Sequence, residues 1–461
     1  MSQITVTIII SGASLVALLL LVSSVRRARA AGDLDASTAL TFGMGSLISL
    51  PIILTVIGGD LTRRPDVFRE LVAIYPGWYL NASRLAMLLV AALATFLLLK
   101  RSRSERVQVH AAGLFAILLW TVAALASGLQ GGRLLSLGGA AMLVCLIAAT
   151  VLPRGRGACL GAGIFGVTLA VASGALAVFR HDLAFIDPCE EACGGLGFTG
   201  VLPNPDLLGV ALAASIPFAY LGFRGSARYW FTLYLAGMAI ASGSQTATLA
   251  ALITVGALFI VRPRVDADHS TPGRAAIAGL VLAGAVFGSV YVAQHDWDSS
   301  ALTNRPVLWQ VASEYVQESP LLGYGPDKWA SLYGSSEIPR AAQRSAHSTW
   351  MDVLFVSGWV GAALLLSMAL AMLWSSGYAR SGVMLALATI TVIGTTEGTW
   401  SIGAFDFLSF SLVALILTGP TRGAATADSS AKDGSAPDQG AMRVPLEPAR
   451  LDGRVGAEVY P

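Results

Sequence analysis

The sequence predicts an all-α, polytopic transmembrane helical bundle of about 12–13 spans with one large external loop containing short helices. Three observations carry that prediction. The 461 residues are 55% hydrophobic and only 13% charged, with a mean hydropathy of +0.67, whereas soluble domains carry about 25% charged residues. Apolar runs of the length that crosses a hydrocarbon layer, ~20 residues, recur along most of the chain. Basic residues crowd every second connection between those runs, as cytoplasmic loops require. An ordinary water-soluble enzyme is excluded, because one fold of this size could not bury so much apolar surface. A net charge of +2 offers no basic face for nucleic acid.

The apolar runs lie at residues 4–24, 36–59, 84–99, 110–127, 134–152, 158–178, 207–223, 229–242, 245–262, 275–293, 349–374, 379–396 and 403–419. The first is too long for a signal-peptide core, and Arg26, Arg27 and Arg29 follow it instead of preceding it, so it reads as a span. The boundary between 229–242 and 245–262 is the least marked, resting on Ser-Gly-Ser-Gln. RRARA, RSRSER, PRGRG, RGSAR and RPR follow the first, third, fifth, seventh and ninth runs. This alternation puts the N-terminus outside, residues 294–348 outside, and the chain after Gly419 in the cytoplasm. Residues 1–419 then form the transmembrane domain. Residues 420–461, rich in Ala, Gly, Asp, Ser and Pro, read as a disordered cytoplasmic tail.

Four cysteines are too few for a disulfide scaffold. Cys145 and Cys159 sit in apolar runs and read as packing residues. Cys189 and Cys193 lie in an external polar stretch and are disulfide candidates if that loop turns, with two separate thiols the open alternative.

Chemistry is expected at the external loop. Val307, Leu308, Val311, Tyr315 and Val316 recur at helical spacing, which predicts a short amphipathic helix ending at Glu318. Pro320 stops it, and Gly323 and Gly325 make a tight turn. Lys328, Arg340, Arg344 and His347 follow. Arginine presents a planar fork that takes phosphate oxygens bidentately, and a histidine titrates near neutral pH. Taken singly, a loop arginine fits a lipid headgroup contact equally well, and a helix-end histidine fits a structural role. Asp352, about one turn beyond His347, is placed either to orient its imidazole or to cap the helix. Glu397, at the outer end of its run, is a substrate-contact candidate. The external loops lack a clustered Asp/Glu metal site, and no nucleotide-binding pattern or other cofactor motif is present.

These residues resemble the O-antigen ligase and polymerase family of bacterial multi-pass proteins. NRPVLW matches the family's Arg-x-x-x-Trp element at Arg305 and Trp309, and Pro320 through Gly325 matches its P-L-L-G-x-G turn. His347 and Ser348 fall on its His-Asn element, with Gly358 and Gly361 on the Gly-x-x-Gly that follows. TGVLPNPDLLGVALA and SGSQTATLAALI are similar, more loosely, to two earlier segments. There are three departures: Gln245 where arginine is usual, Ser348 where asparagine is usual, and Asp206 in place of the asparagine after Pro205.

The resemblance implies metal-independent, inverting transfer of a polyprenyl-diphosphate-linked glycan onto the hydroxyl of a glycan or glycolipid acceptor. It gives His347 the role of base and Arg305 that of diphosphate ligand. Gln245, Lys328, Arg340, Arg344, Asp352 and Glu397 are further substrate-binding candidates. The competing class is a secondary transporter of organic anions or glycolipids. Transporters place their polar groups at mid-membrane, whereas here they gather at the outer face.

Overall fold

The computed structural model describes residues 3–65, 71–101, 108–186, 197–265, 271–295, 297–298, 302, 305–332 and 345–419. Cys189, Cys193, Arg340, Arg344 and the tail 420–461 lie outside the described residues.

Apolar helices stand at all thirteen predicted positions. They are α1 (Gln3–Ala30), α2 (Ala36–Ile57), α3 (Gly77–Lys100), α4 (Ala111–Leu129), α5 (Leu137–Val151) and α6 (Gly157–Phe179). After a single turn, α7 (His181–Ala184), come α8 (Pro205–Gly222), α9 (Ser226–Ala241), α10 (Gln245–Val261) and α11 (Pro272–Gln294). Two loop helices, α12 (Arg305–Glu318) and α13 (Asp327–Leu332), precede α14 (Thr349–Ser375), α15 (Arg380–Thr396) and α16 (Ser409–Leu417). A small antiparallel hairpin, β1 (Thr62–Pro65) with β2 (Leu71–Ile74), lies between α2 and α3. The all-α expectation therefore holds.

Eight of these helices are long and apolar enough to cross a membrane: α1, α2, α3, α4, α6, α8, α11 and α14. The predicted last span is shorter than expected, since only the nine residues of α16 are helical. Asp406 explains this. Its carboxylate accepts from Ser401 N (2.7 Å), Leu408 N (2.9 Å) and Ser409 Oγ (3.0 Å), which holds the chain before α16 in a non-helical turn. Trp400 Nε1 donates to Ser411 Oγ at 3.0 Å across the same segment. Irregular backbone is tolerated at membrane depth where protein surrounds it, and every residue of α16 is buried, against α2, α5 and α6.

The core forms around α6, which packs against α1, α2 and α8. Without a hydrophobic drive between helices in lipid, close contact relies on small residues and interhelical hydroxyls. Gly166 of α6 meets Ser215 of α8 with no room for a Cβ. Thr254 and Thr389 share a hydrogen bond of 2.6 Å between α10 and α15.

Two arginines of the PRGRG connection also tie helix ends together. Arg154 donates to Ile416 O (2.9 Å) and Ser375 O (3.0 Å), in the last turns of α16 and α14. Arg156 donates to Gly222 O at 2.8 Å, at the end of α8. A cation at a helix C-terminus complements the carbonyl dipoles there, so these arginines cap three helices at one end of the bundle. Of the described sequence-predicted site residues, Gln245 opens α10, Arg305 opens α12, Lys328 lies on α13, His347 and Asp352 flank the start of α14, and Glu397 follows α15.

Candidate active site

The loop helix α12 forms where the spacing predicts it. It buries Leu308, Trp309 and Ala312, the stripe that a helix presents at i, i+1 and i+4. Trp309 Nε1 donates to Ala346 O at 2.9 Å, tying α12 to the residue before His347.

The turn after α12 docks into a break in α14. Gly358 has φ +61° and interrupts the helix, which frees two carbonyls and two amides. The Pro320–Gly325 segment pairs with all four: Tyr324 N with Phe355 O (2.9 Å), Gly325 N with Val356 O (2.9 Å), Trp359 N with Pro320 O (2.8 Å) and Val360 N with Leu321 O (3.2 Å). A Cβ at Gly358 would fall on the carbonyl group of Leu321. Gly358→Ala is expected to cost about 1–3 kcal/mol for the left-handed backbone alone, with a further penalty for the clash. A thermal melt of the purified protein checks this, and an unchanged midpoint would contradict it.

Three elements far apart in sequence then meet on one carboxylate. Arg305 Nη2, at the start of α12, donates to Glu397 Oε1, and His347 Nδ1 lies 3.4 Å from Glu397 Oε2. Arg305 and Glu397 are each 15% exposed, while the imidazole of His347 is 33% exposed. Burial opposes ionisation of Glu397, but the charge of Arg305 together with the hydrogen bond and charge of His347 outweighs it. The Glu397 carboxyl is therefore held below its ordinary range. Thr349 Oγ1 donates to Glu397 O (3.3 Å) and accepts from Thr399 N (3.0 Å), fixing the turn that carries the carboxylate.

His347 itself has φ +50°, a conformation uncommon outside glycine. Its neighbours hold it there. Ser345 Oγ accepts from His347 N at 3.1 Å, and Asp352 Oδ1 accepts from Ala346 N at 2.7 Å. Asp352 thus fixes the backbone before the histidine, and the carboxylate that faces the ring nitrogen is Glu397.

The remaining candidates divide. Gln245 is exposed at the start of α10, whose next residue, Thr246, shares a 2.7 Å hydrogen bond with Thr396 beside Glu397. Lys328 lies over the rings of Tyr315 (5.0 Å) and Tyr324 (5.4 Å), a cation–π position about three turns along α12 from Arg305. Asp206, noted in the sequence only as a departure, belongs to the cluster. It is hydrogen-bonded to Ser244 and interacts electrostatically with Glu397, Arg305 and His347. An acidic residue opening an apolar helix was the available signal, but nothing local says which helix ends lie beside it.

Chemically, the arrangement offers a guanidinium fork for an anion, an imidazole with one nitrogen oriented by a carboxylate, and a second carboxyl nearby. Residues 230–366 match the family model described as O-antigen ligase, which covers less than half of the chain. No curated protein and no solved structure matches. The matched segment contains Arg305, Trp309, the Pro320–Gly325 turn, His347 and Gly358. The chain is thus a multi-pass membrane protein in which residues 230–366 are similar to the O-antigen ligase family.

Proposed function

We propose that the protein is a cell-envelope glycosyltransferase that moves a polyprenyl-diphosphate-linked glycan onto a hydroxyl of a glycan or glycolipid acceptor, with its active face outside the cytoplasm. One observation carries this reading: Arg305 and His347, 42 positions apart in sequence, meet on Glu397. The guanidinium has five N–H donors, so its bond to Glu397 leaves a face of the fork for diphosphate oxygens. With Nδ1 turned to Glu397, Nε2 is the ring nitrogen assigned to the acceptor hydroxyl. The hydroxyl attacks the anomeric carbon as its proton passes to Nε2, and the diphosphate leaves carrying the bond electrons, stabilised by Arg305. A single displacement inverts the anomeric centre. The diphosphate is already a good leaving group, and Arg305 supplies the charge stabilisation without a metal.

The cluster lies at helix ends, which favours an enzyme over a transporter, whose ionisable groups gather at mid-membrane. The experiment is a deletion strain examined for the length and attachment of its surface polysaccharides. Loss of chain extension or attachment, with lipid-linked donor accumulating outside, is expected. Accumulation on the inner leaflet would favour transport instead.

Asp206 changes what a natural-looking substitution at residue 245 should do. Gly209, one turn along α8 from Asp206, packs against Ser244 and Ala247 at the start of α10. Residue 245 thus opens the turn of α10 that packs beside the start of α8, the helix that carries Asp206. Gln245→Arg alone is expected to leave the donor KM nearly unchanged, whereas Asp206→Asn with Gln245→Arg should lower it by about tenfold, the scale of one added charge-assisted hydrogen bond. Additive effects of the two changes would disprove this coupling.

A further inference from the structure

Two packed helices of equal length rise from one short connection. Beyond the break at Gly358, α14 continues over residues 359–375, and α15 returns from Arg380 with 17 residues. Each covers about 25 Å at 1.5 Å per residue, so Gly358 and Glu397 stand near one level of the bilayer. The loop helix α12 is tied to that level at both ends. Arg305 opens it on Glu397, and Pro320, just past its end, accepts from Trp359 N at 2.8 Å. The loop therefore lies along the bilayer surface and does not stand away from it.

The lipid-facing side of α14 agrees with this level. Trp359, Ala363, Leu366, Leu370 and Trp374 form one exposed stripe at helical spacing. Its two tryptophans are about 22 Å apart along the axis, and tryptophans at both ends of an apolar stripe mark the two membrane interfaces. The tip of the loop meets the Trp359 end. Leu321 O accepts from Val360 N at 3.2 Å, and both Leu321 and Leu322 are exposed, Leu321 at 67%. Behind the tip, Tyr324 donates to Glu318 at 2.8 Å, and Lys328 covers the rings of Tyr315 and Tyr324. Aromatic rings with a polar end and long cationic side chains suit the headgroup layer.

We propose that the tip formed by Leu321 and Leu322 is a membrane anchor, seated at the boundary between headgroups and acyl chains, where it extends the lipid-facing stripe of α14. A loop that reads as aqueous in the sequence is thus held on the bilayer, with the Arg305 fork at the depth of lipid phosphates. The seat does not rest on the transferase reading. Only the use of that depth to meet a membrane-borne diphosphate does.

The test uses the purified full-length protein in vesicles of phosphatidylethanolamine and phosphatidylglycerol. The vesicles include a phospholipid with a diazirine near the glycerol end of one acyl chain. Light expels dinitrogen from the diazirine, the resulting carbene inserts into a nearby C–H bond, and peptide mass spectrometry locates the adduct. Leu321 and Leu322 are expected to carry adducts at a level comparable with Trp359, and Glu314, exposed on α12, to carry few. Leu321→Asp combined with Leu322→Asp should lose the tip adducts while those on Trp359 and Leu366 persist, which shows that the fold is kept. Adducts on Trp359 and Leu366 of the unaltered protein with none at the tip would overturn the proposal. Tip adducts that appear only on dilution of the protein in the vesicles would also overturn it, assigning the patch to a second copy of the chain. No glycan substrate is present, so the result stands apart from any assay of transfer.

Discussion

Arg305→Ala protein is expected to lose roughly 10²–10³-fold in glycan transfer, the scale on which removing one preorganised donor to a developing negative charge reduces turnover. The change removes the diphosphate ligand, and it also leaves Glu397 without its guanidinium. That second effect matters because a buried charge stripped of its partner is costly, and Glu397 is only 15% exposed. Part of the loss is therefore expected as reduced thermal stability. Arg305→Lys separates the two. A lysine restores a positive charge beside Glu397 and should recover stability, but its point charge lacks the planar fork, so transfer should stay well below wild type. Assay of lipid-linked donor consumption alongside a thermal melt distinguishes the outcomes. Wild-type turnover by either variant would end the assignment of Arg305.

His347→Ala should slow transfer by roughly 10²–10⁴-fold, the usual range for loss of a general base. Donor binding should change little, because the imidazole acts on the acceptor. The pH dependence follows from the sign of the titration. An imidazole accepts a proton only when it is neutral, so activity should fall as pH drops through its midpoint. Glu397 gives a second, lower limb. Its carboxyl is held below the ordinary range, so its contribution to stability is complete above the unfolded value and is lost as pH falls through the folded one. Kinetics of the purified enzyme across pH should show the first limb vanish in His347→Ala. Wild-type turnover by that variant would exclude a base role. The strained φ of His347 adds a stability effect of the opposite sign, because an asparagine or glycine tolerates that conformation better. His347→Asn should therefore be no less stable than wild type while still slow.

Most of the secondary structure was legible in the sequence, because hydrophobic runs and loop charges are local signals. All thirteen apolar helices fall where the runs predict. The helix from Arg305, the stop at Pro320 and the turn at Gly323 and Gly325 follow from spacing and backbone freedom alone. Even the helix that came out short had its reason written at Asp406, but a carboxylate that captures three nearby donors looks the same in sequence as one that does not.

The candidate site was legible only in part. Arg305 and His347 stood out as a cation and a titratable ring bracketing one loop, and Glu397 as an acid at a helix end. That these three converge, with Glu397 facing the imidazole and Asp352 turned to the Ala346 amide, depends on how α8, α10, α12, α14 and α15 pack together. The break at Gly358 is likewise decided by packing: a glycine within an apolar run can stay helical, and here it opens because the Pro320–Gly325 turn supplies four partners for the freed backbone groups. The sequence by itself determined which segments become helices and which ends carry charge, since both are set by residues close in the chain. Only the tertiary structure decided which side chains from distant segments share one carboxylate, because that depends on helix contacts to which no local pattern is sensitive.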